Sequence, residues 1–333
     1  MKKTINYDKL IEIALGNYGI TDFSSSFIRH NDNITLKIEN NEDNNSYVLR
    51  IHAPITSGLQ GVQHTFEGLN AEMELLNSLN EQTSLHLQQP VKNKKGNLVS
   101  TIVDVEKNFI PSATLLTWQD GNVYTGKGIN SKSIAYEVGV VLAKLHNFSK
   151  NWIIPQPFIR PNYDIEKYRN LTDRLQYGVE INLFTPEEYD MILDTMKYIK
   201  IIFDRTPKTN NSWGIIHADL QGGNIIVNNK TVSPIDFGFS GYGYYLFDIG
   251  ITLTTFNITH RKKVLEGYKT LRNFNEEDEL LISAGFILAI FGAFGFMVNN
   301  QESHEWIQRR IPYVTQNYCR AFLDKKSFLL EIE

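Results

Sequence analysis

The stretch GIIHADLQGGNIIVNNKTVSPIDFGFS, residues 214–240, places polar side chains around two short apolar runs. His217, Asp219 and Asn224 lie in one loop, and Asp236 follows the second run. The runs NIIV and VSPID, separated by NNKT, predict a β-hairpin. Because the two ends of a hairpin lie side by side, we expect Asp219, Asn224 and Asp236 to converge.

Carboxylate and amide oxygens are hard ligands, which suit Mg²⁺ better than a softer metal ion. Phosphoryl transfer uses such a set of side chains. One carboxylate orients the attacking hydroxyl group, and other oxygen ligands hold metal ions against the nucleotide phosphates. The stretch therefore predicts a phosphotransfer site.

Composition limits the other classes of function. The chain has 333 residues, enough for two domains or one bilobed unit, and its net charge is -4. That charge argues against nucleic acid as a partner. The single cysteine allows neither an internal disulfide nor a cysteine-based metal site. The N-terminal stretch MKKTINYDKLIEIAL carries polar and charged residues where a signal peptide needs an apolar core, so we predict a cytoplasmic protein.

Residues 280–298 form an apolar run without a charge, LLISAGFILAIFGAFGFMV. The run is long enough to span a bilayer, so a membrane anchor is one interpretation. A helix buried in a helical domain is the other, and we favour it. The run is solitary, it contains three glycines suited to close helix packing, and no aromatic belt or strong basic flank accompanies it.

The pattern along the chain predicts an α+β fold. Strand patterns and one amphipathic helix, TFEGLNAEMELLNSLN, occupy the first third, and helical periodicity dominates from Ser131, a predicted N-cap. We place the boundary at residue 118, which gives segments 1–118 and 119–333. Two charged runs have simple interpretations: NEEDE (275–279) as a helix start or a cation-attracting patch, and RKK (261–263) as a solvated surface.

The ordered motifs resemble a known family. His-x-Asp-x-x-x-x-Asn followed by Asp-Phe-Gly resembles the catalytic and metal-binding loops of the protein-kinase-like phosphotransferases. The local form is closest to the aminoglycoside phosphotransferase and choline kinase branch. Further similar stretches cover most of residues 27–275: YVLRIHAP, AEMELLNSL, ATLLTWQDG, GVVLAKLHNFS and EGYKTL. The resemblance implies a bilobed fold, with an antiparallel sheet and a helix in a nucleotide-binding N-lobe and a mainly helical, catalytic and substrate-binding C-lobe.

The resemblance also implies roles for the loop residues. Asp219 would be the catalytic aspartate that orients the substrate hydroxyl, and Asn224 and Asp236 would be Mg²⁺ ligands. His217 would shape the loop as a neutral imidazole. Asp248 would brace the catalytic loop by hydrogen bonds, with capping of the following helix as the alternative.

In the first lobe, Arg50 stands where most kinases have lysine, and it keeps the charge needed to pair with phosphates. Its expected partner is Glu72, with Glu74 as competitor, and a plain surface charge is the alternative role for Arg50. The turn between the first two strands has no glycine-rich lid. Asn33, like Asn31, would offer an amide donor to phosphate or simply form the turn.

Thr117 and Gln119 lie in the stretch that resembles the hinge strand, which implies contact with the nucleotide. The implied reaction moves the γ-phosphoryl group of ATP or GTP to the hydroxyl group of a small molecule. Only nine residues separate Gly238 from Asp248, too few for the extended segment on which peptide-directed kinases dock their substrates. A cationic acceptor such as an aminoglycoside or aminoalcohol would suit NEEDE and the tyrosines at 242, 244 and 245, if these line a pocket.

Two alternatives stay open at this point. One is a stress-type protein serine/threonine kinase of the same fold, and the other is an inactive nucleotide-binding module. Retention of Asp219, Asn224 and Asp236 argues against the inactive module. The sequence predicts no membrane partner, and it leaves the oligomeric state open.

Overall fold

The computed structural model describes residues 7–30, 33–52, 61–103 and 110–332. The chain forms two compact units. The first comprises Met1–Asp120 and Ile154–Pro161, and the second comprises Gly121–Ile153 and Asn162–Glu333. The return of residues 154–161 to the first unit was not indicated by the sequence pattern. There, the Arg160 guanidinium donates a 3.0 Å hydrogen bond to the Gly68 carbonyl oxygen.

The first unit is built on an antiparallel sheet with strand order β1-β2-β3-β5-β4. Its strands are β1 (Phe23–His30), β2 (Ile34–Asn40), β3 (Ser46–His52), β4 (Val99–Thr101) and β5 (Ser112–Thr117). Its helices are α1 (Tyr7–Tyr18) and α2 (Phe66–Gln82). The predicted antiparallel N-terminal sheet with a helix is thereby confirmed. The sequence pattern had not indicated α1.

One face of this sheet is apolar, and α1 packs against it. The strand register aligns Leu36, Leu49 and Leu115 in one row. All three belong to a buried cluster with α1 residues, including Leu10 and Leu15. Because side chains alternate along a strand, the neighbouring residues of the same strands, Arg50 among them, lie on the opposite face. Because the leucine row packs against α1, the Arg50 side chain lies on the face of the sheet away from α1.

The second unit is mainly helical. Its helices are α3 (Ser131–Asn151), α4 (Ile165–Asp173), α5 (Gln176–Glu180), α6 (Pro186–Arg205), α7 (Tyr245–Leu253), α8 (Ile258–Lys269), α9 (Glu276–Met297), α10 (His304–Tyr313) and α11 (Arg320–Leu323). Its strands are β6 (Asn122–Val123), β7 (Trp213–Ile216), β8 (Ile225–Asn228), β9 (Thr231–Pro234) and β10 (Gly241–Tyr244). They form a β6-β8-β9 sheet and a β10-β7 pair.

The start of α3 differs from the prediction by one position. Asn130 occupies the N-cap position, and its side chain makes no capping hydrogen bond. Ser131 is therefore the first helical residue, and its assignment as the N-cap was wrong. Its hydroxyl group instead lies 3.1 Å from His260 Nε2 on α8.

Helix α9 contains the long apolar run. Asn275 and Asp278 form a reciprocal capping box at its start, which accounts for part of the NEEDE run. Residues Glu277–Met297 are long and apolar enough to cross a membrane, and 67% of the most apolar stretch is buried within the protein. A side chain at Gly285 would collide with the backbone of Phe247, and one at Gly295 with that of Leu171. Gly285 and Gly295 therefore serve close packing, as expected of a buried helix, whereas a side chain at Gly292 would make only ordinary contacts.

The interpretation of RKK as a solvated surface was wrong for Arg261, which is only 3% exposed. Its Nε donates to the Phe256 carbonyl oxygen at 2.8 Å. Its Nη1 donates to the carbonyl oxygens of Leu329 at 3.1 Å and Ile332 at 2.7 Å. Backbone carbonyl groups thus replace the water that a surface arginine would have.

Candidate active site

The 214–240 stretch folds as the hairpin that its sequence predicts. Strands β8 and β9 pair in antiparallel register from Ile225–Pro234 to Asn228–Thr231. Just beyond the paired strands, the Ile235 amide donates to the Asn224 carbonyl oxygen at 2.9 Å. That bond places Asn224 next to the residue preceding Asp236, so the two ends of the hairpin converge.

The Asp219 carboxylate is oriented by amide groups on both of its oxygens. Asn224 Nδ2 donates to Oδ2 at 2.7 Å, and Gln221 Nε2 donates to Oδ1 at 2.9 Å. Asn224 Nδ2 also bonds to the Asp219 carbonyl oxygen at 2.9 Å. Asp219 is partly exposed, so an incoming hydroxyl group has access to it. Gln221 was not among the predicted residues, since only its spatial position reveals its contact.

The oxygen donors beside Asp219 fit a hard cation. Because Asn224 turns its amide nitrogen toward Asp219, its Oδ1 faces the other way. Asp236 has a left-handed backbone (φ 63°, ψ 66°), which orients a carboxylate at the end of the hairpin. Within the described residues, no cluster of three His, Cys, Asp or Glu side chains is suited to holding a metal ion. An amide oxygen and a carboxylate are hard ligands of the kind with which proteins hold Mg²⁺ against phosphates.

The Asp248 carboxylate holds the backbone of the loop that carries Asp219. Its Oδ2 accepts a 2.9 Å hydrogen bond from the His217 amide, and its Oδ1 accepts a 2.8 Å bond from the Ala218 amide. Helix α7 begins at Tyr245, so Asp248 does not cap it, and that alternative was wrong. Ala218 has a positive φ of 63°, a costly conformation for alanine, and the hydrogen bond from its amide stabilises it.

The His217 ring links the loop to the hairpin. Its Nδ1 lies 3.3 Å from the Asp219 amide, and its Nε2 lies 3.2 Å from the Ile235 carbonyl oxygen. An amide N–H must donate and a carbonyl must accept. Nδ1 is therefore the acceptor and Nε2 carries the hydrogen, as in a neutral imidazole. These contacts are the ones expected of a residue that shapes the loop.

A second buried histidine supports Asp248. His146 Nε2 lies 3.1 Å from Asp248 Oδ2, and its Nδ1 lies 2.9 Å from the Tyr268 hydroxyl group. Burial lowers the pKa of His146, against the opposing effect of the Asp248 carboxylate. The neutral ring then donates from Nε2 and accepts at Nδ1. These three residues lie on α3, α7 and α8, far apart in sequence, so no local pattern could have revealed the network.

In the first unit, Arg50 pairs with Glu72 and not with Glu74. Arg50 Nη1 lies 2.8 Å from Glu72 Oε1, and the two residues are only 5% and 1% exposed. The alternative of a plain surface charge at Arg50 was therefore wrong. Arg50 Nε also donates to Thr114 Oγ1 at 3.2 Å. Thr114 was missed because it belongs to a different strand, β5.

The other side chains predicted to contact the nucleotide, Asn33, Thr117 and Gln119, each make hydrogen bonds within the first unit. Asn33 Oδ1 accepts a 2.6 Å hydrogen bond from the Thr35 hydroxyl group, while Asn31 lies outside the described residues. Thr117 Oγ1 accepts from the Gln89 amide at 2.8 Å, and Gln119 Nε2 donates to the Leu87 carbonyl oxygen at 2.8 Å. The side chains of Thr117 and Gln119 thus connect the end of β5, and the residues that follow it, to residues 87–89 by hydrogen bonds.

Two of the three tyrosines suggested for a pocket are core residues. Tyr244 and Tyr245 are each 1% exposed. The Tyr244 hydroxyl group donates to the Thr206 carbonyl oxygen at 2.7 Å, and that of Tyr245 to Ser149 Oγ at 3.2 Å. Tyr242 is partly exposed.

Comparison with known families gives one match over most of the chain. The family model described as the phosphotransferase enzyme family matches residues 29–280. Among characterised proteins, amicoumacin kinase of Bacillus subtilis (strain 168) is 22% identical over 258 residues, which span 76% of this chain and 69% of that protein.

Solved structures show the same fold. A microcompartment-associated aminopropanol kinase superposes with a TM-score of 0.77 at 17% identity, covering 97% of this chain and 99% of its own. An amicoumacin kinase in complex with AMP-PNP, Ca²⁺ and Ami superposes with a TM-score of 0.74 at 15% identity, covering 99% of this chain and 96% of its own. These likenesses confirm the predicted kinase-like fold.

Proposed function

Because the chain belongs to the phosphotransferase enzyme family, we propose that it transfers the γ-phosphoryl group of ATP or GTP to a hydroxyl group of a small amino alcohol. The observation that carries this proposal is the Asp219 carboxylate. Amide groups of Asn224 and Gln221 hold both of its oxygens, in a loop anchored at Asp248.

In the proposed reaction, Asp219 orients the acceptor hydroxyl group and takes its proton. The acceptor oxygen forms a bond to the γ-phosphorus, and the bond from that phosphorus to the bridging oxygen breaks. The nucleoside diphosphate leaves with the electron pair of the broken bond. Such positioning by a fixed carboxylate is the main protein contribution to phosphoryl transfer.

Asn224 Oδ1 and the Asp236 carboxylate would hold Mg²⁺ against the nucleotide phosphates. When bound, Mg²⁺ neutralises the charge that develops on the transferred group. Arg50, held by Glu72, would pair with the nucleotide phosphates as a fixed cation. Asn33, Thr117 and Gln119 remain candidates for further nucleotide contacts.

The path of the chain after Asp236 supports a small acceptor. Strand β10 (Gly241–Tyr244) follows almost at once, and α7 starts at Tyr245. No extended segment is available there to dock a peptide. The amine is proposed because one structural relative is named as an aminopropanol kinase.

The test is a nucleotide-consumption screen with ATP and GTP in Mg²⁺, using pairs of alcohols that differ only by an amino group. Phosphate esters are identified by ³¹P NMR. We expect ester formation with amino alcohols, ester formation slowed by about two orders of magnitude or more in the Asp219→Asn variant, and loss of activity with chelator. Transfer that is equal for both members of each pair would contradict the amino-alcohol proposal. Transfer to protein serine alone would contradict the small acceptor.

A further inference from the structure

A polar row crosses the face of the first-unit sheet that lies away from α1. The register aligns Thr35 of β2, Arg50 of β3 and Thr114 of β5. His52 lies two positions after Arg50, so its side chain is on the same face. Since Ile34 pairs with Ile51, His52 lies at the end of the sheet where the β1–β2 connection begins.

The hydrogen bonds along this row fix the hydrogen on the His52 ring. Arg50 Nε can only donate, so Thr114 Oγ1 accepts from it at 3.2 Å. Thr114 Oγ1 also lies 3.2 Å from His52 Nε2. Thr114 is fully buried, and within the described residues its hydroxyl hydrogen has no other acceptor. His52 Nε2 therefore accepts that hydrogen, and Nδ1 carries the ring hydrogen.

The imidazole is neutral as well as oriented. His52 is 3% exposed, and burial, followed by the nearby Arg50 charge, lowers its pKa well below the ordinary value. Its Nδ1 is buried and has no hydrogen-bond partner among the described residues. A buried N–H donor without an acceptor is costly, and native proteins rarely keep one unless a ligand or water satisfies it.

The neighbouring groups indicate what kind of ligand would do so. Arg50 supplies a fixed positive charge on this face. The Thr35 hydroxyl group, in the same row, donates to Asn33 Oδ1 at 2.6 Å. A guanidinium group and an N–H donor at one end of a sheet match a group that only accepts hydrogen bonds and carries negative charge.

We propose that His52 Nδ1–H donates a hydrogen bond to a phosphate oxygen of the bound nucleoside triphosphate, next to the contact made by Arg50. This inference rests on the proposed function, because it takes the nucleotide as the ligand of this face. His52 then adds a neutral donor to the phosphate site, and Thr114 couples its orientation to that of Arg50.

Two substitutions test the roles of the two His52 ring nitrogens separately. His52→Gln places an amide oxygen near the Nε2 position, so it keeps an acceptor for Thr114 and loses the Nδ1 donor. His52→Asn places an amide nitrogen near the Nδ1 position, so it keeps the donor and loses the Thr114 contact. His86→Gln, at an exposed histidine of the same unit, is the matched control.

Affinities for Mg·ATP, Mg·GTP, adenosine and guanosine are measured by calorimetry on the full chain. We expect His52→Gln to weaken triphosphate binding about tenfold, the size of one charge-assisted hydrogen bond. His52→Asn should stay within about threefold of the wild type on the same scale. Nucleoside binding should be unchanged in both variants. Equal losses in the two variants, or equal losses for nucleosides and triphosphates, would overturn the proposal.

A second measurement covers the case in which a variant does not fold. In the wild type, ¹⁵N shifts of the His52 ring should show the hydrogen on Nδ1, and the Nδ1 signal should move on addition of Mg·ATP. Gln63 Oε1, another buried atom without a partner among the described residues, is the alternative acceptor. If the Nδ1 signal stays unchanged on addition of Mg·ATP but shifts in Gln63→Leu, the hydrogen bond from Nδ1 goes to Gln63. That result would overturn the proposal.

Failure of this inference differs from failure of the proposed function. Wild-type turnover with an unchanged nucleotide KM in His52→Gln rejects only the histidine contact. Binding of Mg·ATP that is weakened in His52→Gln, without transfer to any alcohol, rejects only the reaction.

Discussion

The two units hold their functional side chains by different kinds of hydrogen bond. In the first unit, Arg50 donates to two side chains: the Glu72 carboxylate on a helix and the Thr114 hydroxyl group on a neighbouring strand. In the second unit, the Asp248 carboxylate accepts hydrogen bonds from the backbone amides of His217 and Ala218. The first arrangement depends on which side chains are present. The second depends on the path of the main chain, so a change at Asp248 alters the whole loop.

The largest effect should come from removing the hydrogen bonds that Asp248 accepts from the loop backbone. Asp248→Ala leaves two loop amides and His146 Nε2 without their acceptor inside a buried site. We expect a loss of about 3–5 kcal/mol in the free energy of unfolding and nearly complete loss of turnover. Urea titration and an activity assay measure the two effects. Asp204→Ala, at an exposed carboxylate that pairs with Lys200, is the control. Similar results for both variants would show that Asp248 does not anchor the loop.

Asp219→Asn should reduce turnover by about two orders of magnitude or more while nucleotide affinity stays close to that of the wild type. The substitution removes the proton acceptor but leaves the loop backbone anchored at Asp248. Single-turnover kinetics and a nucleotide titration separate the two quantities. Turnover that is nearly unchanged would reject the assignment of Asp219.

In the first unit, Arg50→Ala should raise the nucleotide KM by about tenfold to a hundredfold, since one charge-assisted contact is worth about 1.5–3 kcal/mol. Arg50→Lys should recover only part, because lysine lacks the planar fork that reaches Glu72 and Thr114 together. Glu72→Ala should show a smaller effect, and the double variant should be non-additive. Strict additivity would show that the buried pair does not act as one unit.

The buried histidines should make stability depend on pH. Burial lowers the pKa of His146 and of His52 below the value of about 6.5 expected in the unfolded chain. The unfolded state then takes up protons that the folded state does not. The free energy of unfolding should be highest above pH 6.5 and fall below it, by about 1.4 kcal/mol for each unit of pKa difference. Urea titrations from pH 8 to 5 measure the slope, which His146→Gln should reduce and His86→Gln should not.

The smallest effect concerns the strained residue of the loop. Ala218→Gly relieves the positive φ but increases the freedom of the unfolded chain, so we expect stabilisation of about 0.5–1 kcal/mol. Ala289→Gly, within helix α9, should instead destabilise by about 1 kcal/mol. Thermal unfolding compares the two variants. If both destabilise equally, Asp248 does not hold Ala218 in a strained conformation.

How much the sequence predicts depends on how local each interaction is. The β8–β9 hairpin and the convergence of its ends follow from a short pattern, and both were predicted correctly. The Arg50–Glu72 pair was predicted from the resemblance to the kinase-like family, and the structure shows it. The contacts of His146 with Tyr268, and of Arg50 with Thr114, join residues 122 and 64 positions apart. No period or motif encodes such separations. The packing of α1 on the sheet was missed for the same reason.

The burial of Arg261 also has a consequence for the order in which the second unit can be completed. Two of the carbonyl groups that accept its hydrogen bonds lie 68 and 71 positions further along the chain. During synthesis, the loop that carries Asp219 and Asn224 emerges well before these acceptors do. Until Leu329 and Ile332 have been translated, the guanidinium group lacks part of the shell that allows it to be buried. A chain that ended between the two points would contain Asp219, Asn224 and Asp236 but would leave the Arg261 guanidinium group without two of its backbone acceptors.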